Sequence, residues 1–302
     1  MAEHVQLFIL SRNRPEYLLQ TLESALQINY ESYEIIVSDN STTDEVSKVL
    51  ESHPLKNRFK LRKRKSMDYF NEHVNLIKSE VTSPYFMMFH DDDLLSPNCI
   101  SDYMVIMLNN PQIAACTGNA KIIHQNAKSE DLFSIIKQDV LISEPSKFID
   151  HHFDLSHGHQ PFPFYLYRSE KVRGLYVNYG EGRIHSDTAF IFKVMQKGGL
   201  YWSQQIVGYY RLHANNTSHF INMRAIYLLC RFIKSKVNAD LQTRVQHYYQ
   251  RSRVRFYFQN KHHFLHFLKF ARHRKLILGC FIFIGSNLGF YSKKVLSRFG
   301  RT

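Results

Sequence analysis

Glycine is missing where nucleotide-binding chains most often need it. The turn after the first apolar run reads Ser11-Arg-Asn-Arg-Pro15, and none of the 302 residues forms a Walker A sequence. A glycine-rich turn lets backbone approach a pyrophosphate, so its absence disfavours dehydrogenase-type dinucleotide folds and P-loop enzymes. The four cysteines (Cys99, Cys116, Cys230, Cys280) contain no CxxC pair. That excludes a disulfide framework and reads as free thiols in a reducing compartment. The longest apolar run, Leu276 to Phe290, includes Ser286 and Asn287 and falls short of the roughly 20 residues a helical membrane span needs. No signal peptide is expected, because the apolar run Val5 to Leu10 is short and meets Ser11-Arg-Asn-Arg14 at once.

Acids are almost absent from the last 82 residues. Residues 221–302 carry 17 Lys or Arg against Asp240 alone, whereas the whole chain has 39 basic and 26 acidic residues for a net charge of +13. The first 220 residues are therefore nearly neutral, and the basic excess belongs to the C-terminal region. Such asymmetry suggests a polyanionic neighbour for that region, a membrane surface or a nucleic acid. A hydrophobic fraction of 44% and a charged fraction of 22% are those of a folded protein.

What is present is a repeating β–α pattern. Val5 to Leu10 reads as a buried strand, and Pro15 opens a helix with Leu18, Leu22, Ala25 and Leu26 at helical spacing. Tyr33 to Val37 is a second strand, followed by a helix with Val46, Val49 and Leu50 inward. Phe59 to Arg64 is a weaker strand, Met67 to Val81 a helix, and Tyr85 to Phe89 another strand; Ser96 and Pro97 open a helix to Asn110 before a strand from Ile113 to about Ile123. Successive βα units predict a parallel sheet with helices on both faces. Ligands bind such sheets at the carboxyl ends of the strands. Three polar clusters, Ser11-Arg-Asn-Arg14, Asp39-Asn40 and His90 to Asp93, all follow strand ends, so they converge on one edge. Three adjacent carboxylates repel one another, and a divalent cation with a taste for oxygen, Mg²⁺ or Mn²⁺, relieves that. Residues 124–160 lose the pattern. Their His151, His152, His157 and His159 lack the Cys or spaced acids a zinc site wants and read as a polar acceptor loop.

Four segments taken together resemble the family 2 glycosyltransferases. Glu34-Ile-Ile-Val-Ser-Asp-Asn-Ser-Thr-Thr-Asp44 is similar to the family's second-strand motif, and Phe89-His-Asp-Asp-Asp-Leu-Leu-Ser-Pro97 to its DxD-type motif. His185-Ser-Asp-Thr-Ala-Phe190 resembles the segment with the catalytic base. Tyr210-Arg-Leu-His-Ala-Asn-Asn-Thr-Ser218 resembles a closing motif. The resemblance covers roughly residues 3–218 and implies a GT-A-like, Rossmann-type, mostly parallel α/β sheet flanked by helices, with inversion at the anomeric carbon. It implies that Asp39 contacts the base or ribose, that Asp91 faces the ribose, and that Ser11, Asn13 and Arg14 belong to the same nucleotide-binding edge. Asp92 is then the principal metal ligand, supported by Asp93 and His213; Arg211 and His213 lie near the diphosphate; and Asp187 is the general base. Three features depart from the pattern: His90 stands where the family often has Asp, Ser186 where it usually has Glu, and Lys63 to Asn75 lacks a glycine common after the third strand.

The expected organisation is a catalytic domain over residues 1–220, with a nucleotide-sugar half to about 123 and an acceptor half from 124, then a basic helical region over 221–302. In that region Phe264, Phe267, Leu268 and Ala271 share one helical face, with His262, His266, Lys269 and His273 opposite. Arg272, Arg274, Lys275, Lys293, Lys294 and Arg298 bracket the apolar run. A basic amphipathic helix of this kind suits an anionic membrane interface. The expected activity moves a sugar from a nucleotide donor, a UDP-sugar by the family's habit, to a free or lipid-linked surface glycan such as lipopolysaccharide or capsule, in the cytoplasm and peripheral on the inner face of a bacterial membrane. The competing readings are a sugar nucleotidyltransferase, which would want a glycine-rich first loop, and a nucleic-acid-binding protein, which leaves the acidic cluster unexplained.

Overall fold

A computed structural model describes residues 2–124, 127–133, 136–153, 162–213 and 221–259. The chain divides into two compact units, Met1–Thr217 and Ser218–Thr302.

The first unit is built around the strand β1 (Val5–Ser11), all of whose residues are buried. A strand covered on both faces reads as a near-continuous apolar run, and Val5 to Leu10 is one apart from Gln6, whose buried amide donates to Glu34 (2.8 Å) and Thr82 (3.1 Å). Pro15 then starts α1 (Pro15–Leu26), where its missing N–H is no loss. β2 (Tyr33–Asp39), α2 (Glu45–Glu51), β3 (Phe59–Lys63), α3 (Phe70–Ser79), β4 (Tyr85–His90), the short β5 (Leu94–Leu95) and α4 (Cys99–Asn109) follow. The parallel registers put Ser11 beside Asp39 and Leu10 beside His90. Chain pairing thus delivers the three polar clusters to the same sheet edge.

Beyond α4 come β6 (Ala115–His124), β7 (Ala127–Leu132), β8 (Val140–Ile142), α5 (Pro145–Phe153), β9 (Leu166–Arg168), α6 (Ser169–Val172), α7 (Ser186–Met195) and β10 (Leu200–Leu212). The sheet order is β3-β2-β1-β4-β9-β6-β10-β5, with β7 on β6 and β8 on β10. The long strands lie parallel, as the sequence pattern requires, but the fifth long strand, β6, is not a neighbour of β4. The three-residue β9 is wedged between them, antiparallel to both. The chain leads into it through a 3-10 turn at Phe162–Phe164. Arg168 locks the wedge: its guanidinium donates to the Tyr85 hydroxyl (2.8 Å) and the Met107 carbonyl (2.8 Å). The patternless stretch after residue 124 holds β7, β8 and α5. There His152 is buried and stacked on Phe148 at 3.8 Å, while His157 and His159 lie outside the described residues.

β10 runs parallel to β6 through register shifts between Ser203 and Gly208, and such bulges turn a strand. Its Gly208 pairs with Leu95. A Cβ on Gly208 would fall inside contact distance of the Leu94 carbonyl and the Phe164 ring. The bend carries Arg211 and His213 back to the acidic turn.

In the second unit Asn222 caps α8 (Met223–Lys234) through Ala225 N (3.0 Å) and Asn238 accepts from Leu241 N (3.0 Å) at the start of α9 (Ala239–Gln259). The two helices pack on each other. Among the described residues no helix is long and apolar enough to cross a membrane. Cys99, Cys116 and Cys230 are free and buried; Cys280 and the amphipathic stretch from residue 262 lie outside the described residues.

Gly208→Ala is expected to destabilise the first unit by about 1–3 kcal/mol, because the added methyl overpacks a site with backbone on one side. A chemical-denaturation midpoint checks it, and a wild-type midpoint would show that the β5–β10 contact has slack.

Candidate active site

β4 is buried throughout until His90, and the turn it enters is equally enclosed: Asp91, Asp92 and Asp93 are 4%, 7% and 1% exposed. Carboxylates this deep need partners, and each has a different set. Asp91 Oδ2 accepts from the backbone N–H of Arg12 (2.9 Å). Asp92 Oδ2 accepts from Arg14 Nη1 (2.6 Å) and lies 3.0 Å from His213 Nε2. Asp93 Oδ1 accepts from the backbone N–H of Arg211 (2.8 Å), and its carbonyl accepts from Thr21 Oγ1 (2.8 Å).

Those partners set the charges. Burial, with the Asp92 charge beside it, pushes Asp91 up to about 7. The same two causes hold Asp93 well above the usual carboxylate range. Burial acts on Asp92 too, but His90, Arg14 and His213 outweigh it and its carboxyl stays below the ordinary value. Of the three, Asp92 is the one whose ionised form its surroundings favour.

Two atoms here are buried with no hydrogen-bond partner, His90 Nε2 and Asp93 Oδ2. His90, Asp92 and Asp93 can each offer one ligand atom, and these atoms lie within 4.8 Å of one another. An imidazole and two carboxylates, two of them unsatisfied, fit a divalent cation. The family resemblance implied Asp92, Asp93 and His213 as ligands; the structure groups His90 with Asp92 and Asp93 and sets His213 against Asp92. His90 was legible only as a departure from an acid, although imidazole is itself a ligand.

Asp39 closes the other side of the edge. Its Oδ1 accepts from Ser41 N (2.9 Å), and Oδ2 is buried without a partner. Ser11 is buried at the adjoining strand end. Asn13, in the left-handed region at φ 56, accepts from Thr42 N (2.9 Å) and donates its backbone N–H to Ser41 (2.8 Å). It ties the loops after β1 and β2 together. Below Asp39 lies a buried network that nothing in the sequence announced. His73 Nε2 meets Ser38 Oγ (2.9 Å), Arg64 Nε donates to the same oxygen (2.9 Å), and Arg64 forks onto Glu80 at 2.6 Å twice. Burial and then the Arg64 charge bring the His73 pKa down to about 4, so its ring is neutral.

Asp187 sits in the first turn of α7, where its Oδ1 accepts from Thr188 N (2.7 Å). Its side chain is partly open to solvent but ringed by protein, and that desolvation raises its pKa, opposed by the Thr188 bonds and by His90. The His90 ring is thus within electrostatic reach. Arg211 is 0% exposed. Its guanidinium donates to the Asp92 carbonyl (2.6 Å) and Gln20 (2.8 Å) and stands 4.7 Å over the Tyr17 ring. This geometry makes it a clamp on the acidic turn.

Solved structures of the same shape define the class. S. aureus TarS 1-349 in complex with UDP-GlcNAc superposes with a TM-score of 0.63 at 14% identity, over 93% of this chain and 80% of that one. The corresponding UDP complex gives 0.60 at 13%, over 84% and 72%. The mannosyltransferase PcManGT from Pyrobaculum calidifontis, in complex with GDP-Man and Mn²⁺, gives 0.57 at 13%, over 83% and 70%. The fold is that of the GT-A glycosyltransferases. The model described as glycosyl transferase family 2 matches residues 7–174, more than half of the chain, and the protein belongs to that family. Protein CgeD of Bacillus subtilis (strain 168) is 22% identical over 167 residues, which are 50% of this chain but 37% of CgeD.

Two outcomes follow from these contacts. Arg211→Leu leaves buried acceptors and the acidic turn without their clamp, and a loss of about 3–5 kcal/mol in unfolding free energy is expected; a loss below 1 kcal/mol would refute the clamp. His73 stays neutral in the fold while the unfolded chain takes up a proton below pH 6.5. Its contribution is therefore complete above that pH and drains as pH falls towards 4, by up to about 3 kcal/mol. Denaturation midpoints of wild type and His73→Gln across this window test it, since the variant should lose that part of the slope.

Proposed function

We propose that this family 2 glycosyltransferase is metal-dependent and inverting, and moves a sugar from a nucleotide-diphosphate donor to a hydroxyl of a surface glycan. The observation that carries the reading is the clustering of His90, Asp92 and Asp93 at the carboxyl end of β4, where His90 Nε2 and Asp93 Oδ2 are buried without partners, with Asp187 within electrostatic reach of His90. TarS is solved with UDP-GlcNAc and PcManGT with GDP-Man and Mn²⁺, which supports a nucleotide-sugar; the family's habit favours UDP.

Asp39, through its open Oδ2, receives the base or ribose, with Ser11, Asn13, Arg14 and Asp91 along the same edge. His90, Asp92 and Asp93 hold the cation. An imidazole nitrogen suits Mn²⁺ better than Mg²⁺, which keeps to oxygen. When bound, the cation stabilises negative charge on the departing diphosphate. Arg14 and His213 both contact the Asp92 carboxylate and would meet that charge, while Arg211 holds the turn through the Asp92 carbonyl. Asp187 takes the proton of the acceptor hydroxyl, and its raised pKa makes it a stronger base than a solvated carboxylate. Attack from the Asp187 side, opposite the nucleotide, inverts the anomeric centre.

Residues 221–302 are proposed to meet an anionic membrane surface, on the strength of their charge. That would place the enzyme peripherally on the inner face of the membrane, near a lipid-linked acceptor. No observation favours the nucleotidyltransferase or nucleic-acid readings.

Asp187→Asn should lower transfer by about 10²–10⁴-fold while leaving metal-dependent nucleotide binding at its wild-type level. Radiolabelled-donor transfer and calorimetry on the same preparation read both. Full transfer by the variant would remove Asp187 as the base.

A further inference from the structure

Two consecutive aromatic residues at the start of α3 are exposed, and the second of them packs against His90. Tyr69 is the N-cap of α3 and makes no side-chain cap hydrogen bond, at a position where Ser, Asp or Asn would satisfy a helix N–H. It is 51% exposed, and Phe70, the next residue, 41%. Local rules broken together at the rim of a site point to use of the surface. Neither ring stands alone. Phe70 meets the edge of His90 at 5.7 Å and Phe162 at 5.7 Å, and Tyr69 lies 5.2 Å from Tyr179, tilted by 48°. Tyr179 is fixed in turn: Arg183 lies over its ring at 5.2 Å and donates Nε to its hydroxyl (3.1 Å), from a backbone held at φ 54. The result is a firm strip of rings. One end touches a candidate metal ligand, and the strip draws on the chain after residue 160 as well as on α3.

We infer that Tyr69, Phe70 and Tyr179 form a stacking platform for a pyranose ring of the acceptor glycan. A pyranose shows a face of weakly positive C–H groups that packs on the negative face of an aromatic ring, leaving its hydroxyls at the edges for polar contacts. A nucleobase would stack on the same rings, but the base end of the edge is marked by Asp39 on β2, whereas the platform leads from His90 towards Tyr179. The inference rests on the glycosyltransferase reading and adds the place and chemistry of the acceptor.

The test uses the full chain with Tyr69→Ala, Tyr179→Ala and Tyr69→Trp. Saturation-transfer NMR is run with methyl pyranosides and chitotriose, maltotriose and cellotriose, beside calorimetry with UDP and Mn²⁺. Wild type should pass saturation to the C–H protons of one sugar face; the alanine variants should weaken this about tenfold, as loss of an aromatic contact does, and the tryptophan variant should restore it. Nucleotide affinity should not change. Saccharide signals equal to wild type in both alanine variants, with nucleotide binding intact, would overturn the platform and leave the enzyme reading standing. Lost nucleotide affinity would assign the rings to the donor and overturn it too. No metal-dependent binding of UDP, GDP, dTDP or CMP by the wild type would sink the enzyme reading and the inference with it.

Discussion

Three consecutive carboxylates are held almost dry at the end of a buried strand, and most of what is unusual in this molecule answers to that constraint. Burying one unpaired carboxylate is already unfavourable by several kcal/mol. The chain manages three with donors from the loop after β1 and from the end of β10: the Arg12 backbone and Arg14 to Asp91, Arg14 and His213 to Asp92, the Arg211 backbone to Asp93. Even so the compensation is incomplete. Asp91 and Asp93 are driven towards protonation, and two polar atoms are left without partners. The cation proposed for this site would displace those protons, and its affinity would therefore rise with pH.

The remainder of the first unit serves to keep those donors in place. Parallel pairing of β1 with β2 and β4 aligns the strand ends, and the bulged β10 returns across the sheet to present Arg211 and His213. Arg211 works from inside the protein, bonded to the carbonyl of Asp92 and stacked on Tyr17. That position suits a residue that shapes the site more than one that greets a substrate. Beside Asp39 the neutral His73 and the Arg64–Glu80 fork brace that end of the sheet edge in a similar way.

Much of this was legible from residue order, because the physics involved is local. Continuous apolar runs announce strands buried on both faces, Pro15 announces the start of α1, and polar clusters after strand ends announce the ligand edge. The wedge of β9 between β4 and β6 was not, since three residues carry too little pattern to reveal a partner 80 positions away in sequence. His90 was read as a substitution because a ligand's identity depends on which atoms converge, and convergence is a property of the turn, not of the string. The His73 network and the ring strip at Tyr69 were hidden for the same reason: their members come from distant segments, and no single one looks unusual. The amphipathic C-terminal pattern lies outside the described residues, so its proposed membrane role stands on charge and periodicity alone.

The central claim is that the acidic turn is a metal-dependent nucleotide site. Calorimetric titration of the purified protein with UDP, GDP, dTDP and CMP, with and without Mn²⁺, beside Asp92→Asn, tests it most directly. The account predicts that one nucleotide binds, only with the metal, and that the variant loses it. Equal binding with and without Mn²⁺, or undiminished binding in Asp92→Asn, would contradict it.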